Sequence, residues 1–429
     1  MADAIDCGDR QSSRVRQHAA SPGTSAEANA QRPDPRILSH RVTTEHSTRA
    51  EALAALALLA MNFASRLLRQ VRPFVRRHDK LKRFLQRQEL RLWRLRHDAA
   101  QRFPSLIQPG PRQITIAITA ACNFRCQGCR YGRDFMVGEH LDLQVVRDCL
   151  DDAKQSGVAT ARFYGGEPLL HRDLPAMVEH ATRLGLDAYV TTNGTLMGRR
   201  IDELYAAGLR WMTIGFYGIG DRYDDYVQKD GQFAQLRESL ATVRARYGDK
   251  VAIQLNFMLS RRSCGVEHVR ATWELAREFD LHLGVDPISK TIPFFREPGD
   301  DLAIGEDLRD ELVAVAAALE RCKDERPDRV VPSRTFLRAL PSLLLEDAAA
   351  TIPCDAYELL WVGADGTVQL CDVAFPLGNL KEKRLRDMLF TETHCQAARD
   401  GFALKCPTCM CKIDSRIRRH SASVRRHGE

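Results

Sequence analysis

The sequence has no apolar run long enough to cross a membrane. The stretch Leu53-Ala54-Ala55-Leu56-Ala57-Leu58-Leu59-Ala60-Met61 falls far short of the ~20 residues needed to span a bilayer, so a polytopic membrane protein is not expected. The first thirty residues lack an apolar h-region, which predicts no secretory signal. The 13 cysteines are odd in number, which argues against a disulfide framework and for reduced thiols in a cytosolic setting. Such thiols are available as soft metal ligands. No base-reading motif accompanies the lysines and arginines, so no specific nucleic-acid partner is expected.

What charge there is lies unevenly. Residues 51–112 carry 14 Lys and Arg against 4 Asp and Glu, and residues 412–429 carry 6 against 2. The stretch 113–411 carries 36 against 44, so the net +7 of the 429-residue chain belongs to its appendages. Residues 1–48, rich in Ser, Ala, Asp, Arg and Pro without apolar period, read as a disordered tail. A basic amphipathic helical extension over 49–110 follows. In it Leu67, Val71, Phe74, Leu81, Leu85, Leu92 and Leu95 recur near a helical period among arginines, and Pro73 divides the stretch. Two readings of residues 50–105 stay open: a cap or dimer contact packed on protein, or a helix in peripheral contact with an anionic membrane.

After Pro109-Gly110-Pro111 the pattern changes to alternating strand and helix. Strands are expected at Ile114–Thr119, Ala161–Tyr164, Ala188–Thr192, Met212–Tyr217, Val251–Leu259 and His282–Asp286, with helices near 143–156, 174–184, 198–207, 233–247, 266–279 and 306–322. Six β–α units predict an α/β fold on a parallel sheet, doubly wound or an incomplete barrel. Either form gathers ligands at the carboxyl ends of its strands.

The motifs fall at those ends. Cys122-Asn123-Phe124-Arg125-Cys126-Gln127-Gly128-Cys129 directly follows the first strand. Three thiolates on one short loop can hold three corners of an iron–sulfur cubane and leave one iron open. A structural zinc is the plain alternative, but it wants four ligands and the loop offers no fourth cysteine or histidine. Tyr164-Gly165-Gly166-Glu167-Pro168 ends the second strand, where glycines permit close backbone approach to a ligand. Thr191-Thr192-Asn193-Gly194 ends the third, and turn chemistry alone accounts for Asn-Gly. Asn256 is polar among apolar neighbours and faces either the barrel interior or a satisfied core site.

The C-x3-C-x2-C loop, with the Gly-Gly-Glu-Pro and Thr-Asn-Gly segments, resembles the radical S-adenosylmethionine (SAM) superfamily. The resemblance covers roughly 113–411. It implies a partial (β/α)6 TIM-like barrel over 111–335 and a catalytic 4Fe–4S cluster on Cys122, Cys126 and Cys129. It also implies SAM held near Gly165, Gly166, Glu167, Thr192 and Asn193. In that family one electron cleaves SAM to a 5′-deoxyadenosyl radical, which abstracts hydrogen from the substrate. Two positions depart from the family pattern: Gly128 stands where an aromatic residue is common, with Tyr131 a candidate replacement near adenine. Tyr217 stands where many relatives carry Asp.

Further along, Asp365-Gly366 between Leu359–Val362 and Thr367–Leu370 reads as a hairpin turn that brings Cys354 and Cys371 to one end. Cys406-Pro407-Thr408-Cys409-Met410-Cys411 follows a helix expected at 384–399. On spacing alone this is a four-thiolate zinc site. With Gly378-Asn379-Leu380 it resembles the SPASM/Twitch extensions of the same superfamily. That implies a small cysteine-rich α+β domain over 336–412 with one auxiliary 4Fe–4S cluster on Cys354, Cys371, Cys406 and Cys409, Cys411 being the substitute ligand, and then a basic tail over 413–429. Cys7, Cys149, Cys264, Cys322 and Cys395 lack motifs and read as incidental thiols.

The function implied is oxidative modification of a peptide or of a small or lipid-linked metabolite, with an electron donor such as flavodoxin or ferredoxin. The setting is cytoplasmic, or peripheral to the membrane. No winged-helix peptide-binding module is visible in 50–105. The rival class is a non-catalytic iron–sulfur or zinc scaffold that binds a partner through its basic arm.

Overall fold

In Ile253-Gln254-Leu255-Asn256-Phe257-Met258-Leu259 every second side chain is fully buried and those between are half-buried. A strand with one face against packed helices and the other on an open interior must read this way. The computed structural model describes residues 79–288, 291–295, 301–371 and 374–429. Six parallel strands form: β1 Gln113–Thr119, β2 Thr160–Gly165, β3 Asp187–Thr192, β4 Trp211–Phe216, β5 Ala252–Leu259 and β6 His282–Pro287. Each lies within one residue of its expected bounds.

Helix α1 (Asp79–Arg102) precedes β1. After β1 to β3 come α2 (Leu143–Gln155), α3 (Leu174–Arg183) and α4 (Met197–Ala206). The short α5 (Asp221–Val227), not expected from the sequence, and α6 (Gln232–Tyr247) both follow β4. Helices α7 (Val266–Glu278) and α8 (Arg309–Glu325) follow β5 and β6. Their apolar stripes cover the outward strand residues, Ile114, Ile116, Phe163, Ile214, Leu255 and Phe257 among them, all fully buried.

Beyond α9 (Arg334–Leu345) the chain returns to the sheet rather than starting a detached layer. Strands β7 (Leu359–Val362), β8 (Thr367–Gln369) and β9 (Pro376–Asn379) extend it in the order β6-β5-β4-β3-β2-β1-β7-β8-β9. Strand β7 pairs in parallel with β1, Gln113 opposite Leu359 and Ile116 opposite Val362. The turn between β7 and β8 is set by Gly366 at φ 88° and by the Asp365 carboxylate, which accepts from Thr367 N at 3.0 Å. Helix α10 runs Glu392–Phe402, later than expected, because Thr391 caps it by accepting from His394 N.

The segment read as a basic tail is helical. Helices α11 (Ile413–Arg419) and α12 (Ser421–His427) pack on α9, and α11 also on α1. Ile413 and Ile417, one turn apart, are buried. In α1, Trp93, His97 and Ala100 are buried with Tyr357, Ala398 and Phe402, and His97 Nε2 lies 2.9 Å from Tyr357 Oη. The described part of the basic extension is thus a cap on the C-terminal region. Residues 1–78, including the expected disordered tail and the Leu53–Met61 run, lie outside the described residues. Among the described residues no helix is long and apolar enough to cross a membrane.

Beneath α1 a charged network is sealed. Arg419 bridges Asp355 (2.9 Å) and Glu358 (3.0 Å), whose side chains are 0% and 3% exposed, and stacks over the Trp93 ring at 4.3 Å. Lys412 and Arg112 approach Glu358 at 3.4 and 3.3 Å. Burial pushes the Glu358 carboxyl up, but Arg419, Lys412 and Arg112 outweigh it and hold it at about 2.

Candidate functional site

At the carboxyl end of β1 the chain turns into the cysteine loop. Cys122, Cys126 and Cys129 all line one cavity of about 630 Å³. Cys126 O accepts from Cys129 N at 3.1 Å, with Gly128 at φ 74° in the third position of the turn. That backbone favours glycine, which is why no aromatic residue stands before the last cysteine. Tyr131 is 1% exposed, meets Phe294 and Trp361 edge-on, and accepts from Ala364 N at 3.1 Å. Its ring ties the loop to the β7–β8 turn.

The loop is braced on α5, where Gln127 N donates to Tyr226 O at 2.8 Å and Arg125 N to Val227 O at 3.3 Å. Tyr217 stacks on Tyr226 with centroids 4.0 Å apart, on the side of Cys126 and Cys129. Burial raises all three thiols. Cys122 stands at about 11, and burial first, then its two neighbours, hold Cys126 well above the ordinary thiol value. Thiols so placed stay protonated in water and ionise against a cation.

The Gly165-Gly166-Glu167 turn closes on the backbone just before the triad. Gly166 N donates to Thr119 O at 2.7 Å and Glu167 N to Ala121 O at 2.8 Å. A Cβ on Gly166 would lie 2.3 Å from Ala121 O and 2.5 Å from Ala120 O, both main-chain atoms. A Gly166→Ala protein is therefore expected to lose about 1–3 kcal/mol of stability, read as a lower denaturant midpoint. An unchanged midpoint would show that the two loops can part freely.

Glu167 is fully buried, and its carboxylate accepts from Leu169 N (2.9 Å), Thr192 Oγ1 (2.7 Å) and Asn193 N (2.7 Å). Asn193 Nδ2 in turn donates to Asn123 Oδ1 at 2.8 Å, and Tyr223 Oη donates to Asn193 O at 3.2 Å. The acidic side chain and the Thr-Asn-Gly turn are thus spent on joining β2, β3 and the cysteine loop, which leaves backbone groups such as those of Gly166 facing the cavity. Asn123 was not singled out from the sequence, where nothing marks it. His140 and His171 also line the cavity. Both ring nitrogens of His171 are engaged, by Leu141 O and Asp173 N.

The inward face of the sheet is polar. Arg162, Thr191, Thr213, Gln254, Asn256 and Asp286 alternate with the buried outward residues of β2 to β6. Arg162 Nε donates to Thr191 Oγ1 at 2.8 Å, and Gln254 Nε2 to Asn256 Oδ1 at 2.6 Å. Gly284 leaves the room that those two amides occupy. Asp286 is accessible to water yet ringed by protein, as a side chain in a solvated lumen is. Burial raises its carboxyl, and Arg162 and Asn256 pull it back. Asn256 accordingly faces the interior. Strand alternation carried this signal for Arg162, Gln254 and Asp286 as well.

A second, narrower cavity is lined by Cys354, Cys371, Cys406, Cys409 and Cys411, together with Arg416. All five cysteines of the C-terminal motif meet there, four of them the expected ligands. Cys149 and Cys322 are buried in the core, and Cys264 and Cys395 are half-buried, apart from both cavities. Among the described residues, no three Cys, His, Asp or Glu side chains converge at single-ion distances; the thiols ring spaces rather than points.

Comparison with known proteins agrees with this geometry. The family model described as the radical SAM superfamily matches residues 116–259. GTP 3′,8-cyclase of Chlorobaculum tepidum is 31% identical over 39% of this chain and 51% of its own length; the chain thus spans about half of that relative. PqqA peptide cyclase of Xanthomonas campestris pv. campestris is 27% identical over 65% of this chain and 72% of its own. Among solved structures, Streptococcus suis SuiB bound to precursor peptide SuiA superposes with a TM-score of 0.54 at 16% identity, covering 71% of this chain and 70% of that one. The protein anSMEcpe with bound AdoMet and a Cp18Cys peptide gives 0.52 at 15%, covering 68% and 83%. These likenesses show the fold, a partial barrel. The stretch that matches the radical SAM superfamily model holds the cysteine loop after β1 and the Gly165-Gly166 turn beside it.

Proposed function

We propose that the protein is a radical SAM enzyme of the SPASM type that oxidatively modifies a peptide. One observation carries this: three thiols of one loop line a single cavity together with Gly166, at the carboxyl end of β1. Cys122, Cys126 and Cys129 are the donors for a 4Fe–4S cluster. When bound, that group supplies an open iron for SAM and the electron that splits its sulfonium bond to a 5′-deoxyadenosyl radical.

The chain's own residues do the rest. Gly166 lets the β2 turn lie against the cluster loop, while Glu167, Thr192, Asn193 and Asn123 hold that turn and the loop in one register. Tyr217 and Tyr226 wall the side of the site toward Cys126. Asp286, Asn256 and Arg162 offer ionic and amide contacts to the part of the substrate that enters the lumen. This lining suits peptide groups and polar side chains better than a lipid chain. The peptide reading draws support from the names of the relatives, PqqA peptide cyclase and peptide-bound SuiB. Cys354, Cys371, Cys406 and Cys409 are the donors for the auxiliary cluster, with Cys411 beside them. An electron donor such as flavodoxin or ferredoxin is the expected partner.

Anaerobic reconstitution with iron and sulfide should load about eight irons per chain, two cubanes. With a strong reductant, the loaded protein should then release 5′-deoxyadenosine from SAM. Fully loaded protein that releases none, alone or with candidate peptides, would overturn the reading.

A further inference from the structure

Among the described residues Arg416 is the largest charged side chain that is fully buried, 1% exposed in the last turn of α11. Its donors all go to neutral carbonyls: Nε to Pro353 O (3.4 Å), Nη1 to Cys409 O (2.7 Å), and Nη2 to Ala349 O (3.0 Å) and Ile352 O (2.6 Å). Among the described residues no carboxylate pairs with it. Asp414, two residues before it, is committed to Ser333, and Asp355, which lines the same cavity, gives its Oδ2 to Arg419 and Ser415. A buried charge without a counter-charge costs several kcal/mol, so a fold that keeps one has an anion beside it. What lies beside Arg416 is the cavity walled by Cys354, Cys371, Cys406, Cys409 and Cys411.

We propose that Arg416 is the fixed counter-cation of an anionic metal–thiolate cluster in this cavity, and that its charge raises the cluster's reduction potential. The inference rests on the auxiliary-cluster reading above. Four thiolates around a 4Fe–4S core leave a net negative charge, and reduction adds another. A fixed cation in a low-dielectric wall stabilises the reduced form more than the oxidised one. The carbonyls it holds belong to Cys409 itself and to Pro353, which precedes Cys354. Arg416 is thus also placed to set the spacing of two ligands. Charge and clamp are separable: lysine keeps the charge with fewer donors, whereas glutamine keeps donors without charge.

The test uses the full chain with Cys122, Cys126 and Cys129 all changed to alanine, so that only the second site is seen. Iron, sulfide and zinc are counted, and the midpoint potential is read by redox-poised EPR. About four irons with sulfide are expected. Adding Arg416→Gln should lower the reduced-to-oxidised ratio at fixed potential at least about tenfold, 59 mV for a one-electron couple. Adding Arg416→Lys should leave it within about threefold, and Lys assembling a cluster where Gln assembles none would support the charge equally. Zinc without iron in the triple variant would sink the auxiliary-cluster reading. Iron–sulfide with one midpoint in all three proteins, an equal shift in Lys and Gln, or loss of the cluster from both, would leave Arg416 a clamp only and sink the inference.

Discussion

Changing Cys126 to alanine should abolish formation of 5′-deoxyadenosine from SAM, by at least about a thousandfold, while leaving the fold standing. A cubane held on three thiolates keeps one iron open for the co-substrate; with one donor gone, neither the cluster nor its open position survives. The fold should tolerate the change because Cys126 is half-buried in a loop whose braces are other groups, the main chain of Gln127 and Arg125 on α5 and the Gly166 turn on Thr119. The measurements are product by mass spectrometry, iron content, and far-UV circular dichroism. Expected are about four irons instead of eight, an unchanged spectrum and no product. Product at the wild-type rate would remove the triad from the chemistry. The same change at Cys149, on the buried face of α2, should leave product formation intact.

The second large effect is on stability. Arg419→Met should cost about 3–5 kcal/mol, because it strands the buried Asp355 carboxylate and takes from Glu358 one of its three cations. Lys412 reaches Asp355 only at 4.0 Å and cannot take over both. The packing of α1 should loosen with it, since the guanidinium also lies over Trp93. The pH dependence follows in sign. Glu358 sits at about 2 in the folded protein against an ordinary value near 4.5. Its contribution is therefore whole above pH 4.5 and is lost as pH falls toward 2. His97 is lowered to about 4, by burial first and by Arg419 next, so it is neutral when folded and charged when unfolded between pH 6.5 and 4. Stability drains over that window too as acid is added. In Arg419→Met the Glu358 limb should move to higher pH. Denaturant titrations at pH 7, 5 and 4 read both effects, and an unfolding free energy at pH 7 within about 0.5 kcal/mol of wild type would show that the network carries no net stability.

Much of this was legible in the chain. Strand and helix succession followed from apolar period, since packed faces leave period-2 and period-3.6 marks in local sequence. The triad, the Gly-Gly-Glu turn and the C-terminal cysteines were legible because metal ligation and close backbone approach admit few residue types. Asn256 had two readings, and only the position of β5 in a half-barrel chose the inward one.

Other features carried no local mark. The Glu167 carboxylate closes on Thr192 and Asn193 at the end of β3, a contact set by how far two strand ends project. Asn123 and Arg416 are single polar residues whose partners lie 70 positions away or scattered along the chain. The β7 strand gave a hairpin signal, yet its pairing with β1, 246 residues earlier by register, is a long-range choice that no hairpin states. For the described part of the basic extension, the packing of Trp93 and His97 on Tyr357 and Phe402 is a protein contact that residues 79–102 alone do not state. By itself, then, the sequence determined the elements, the thiol sets and the chemistry they admit, because those depend on residue type and near neighbours. Only the tertiary structure decided which polar groups face a cavity and which are consumed holding strands together, because that depends on distances between segments far apart in the chain.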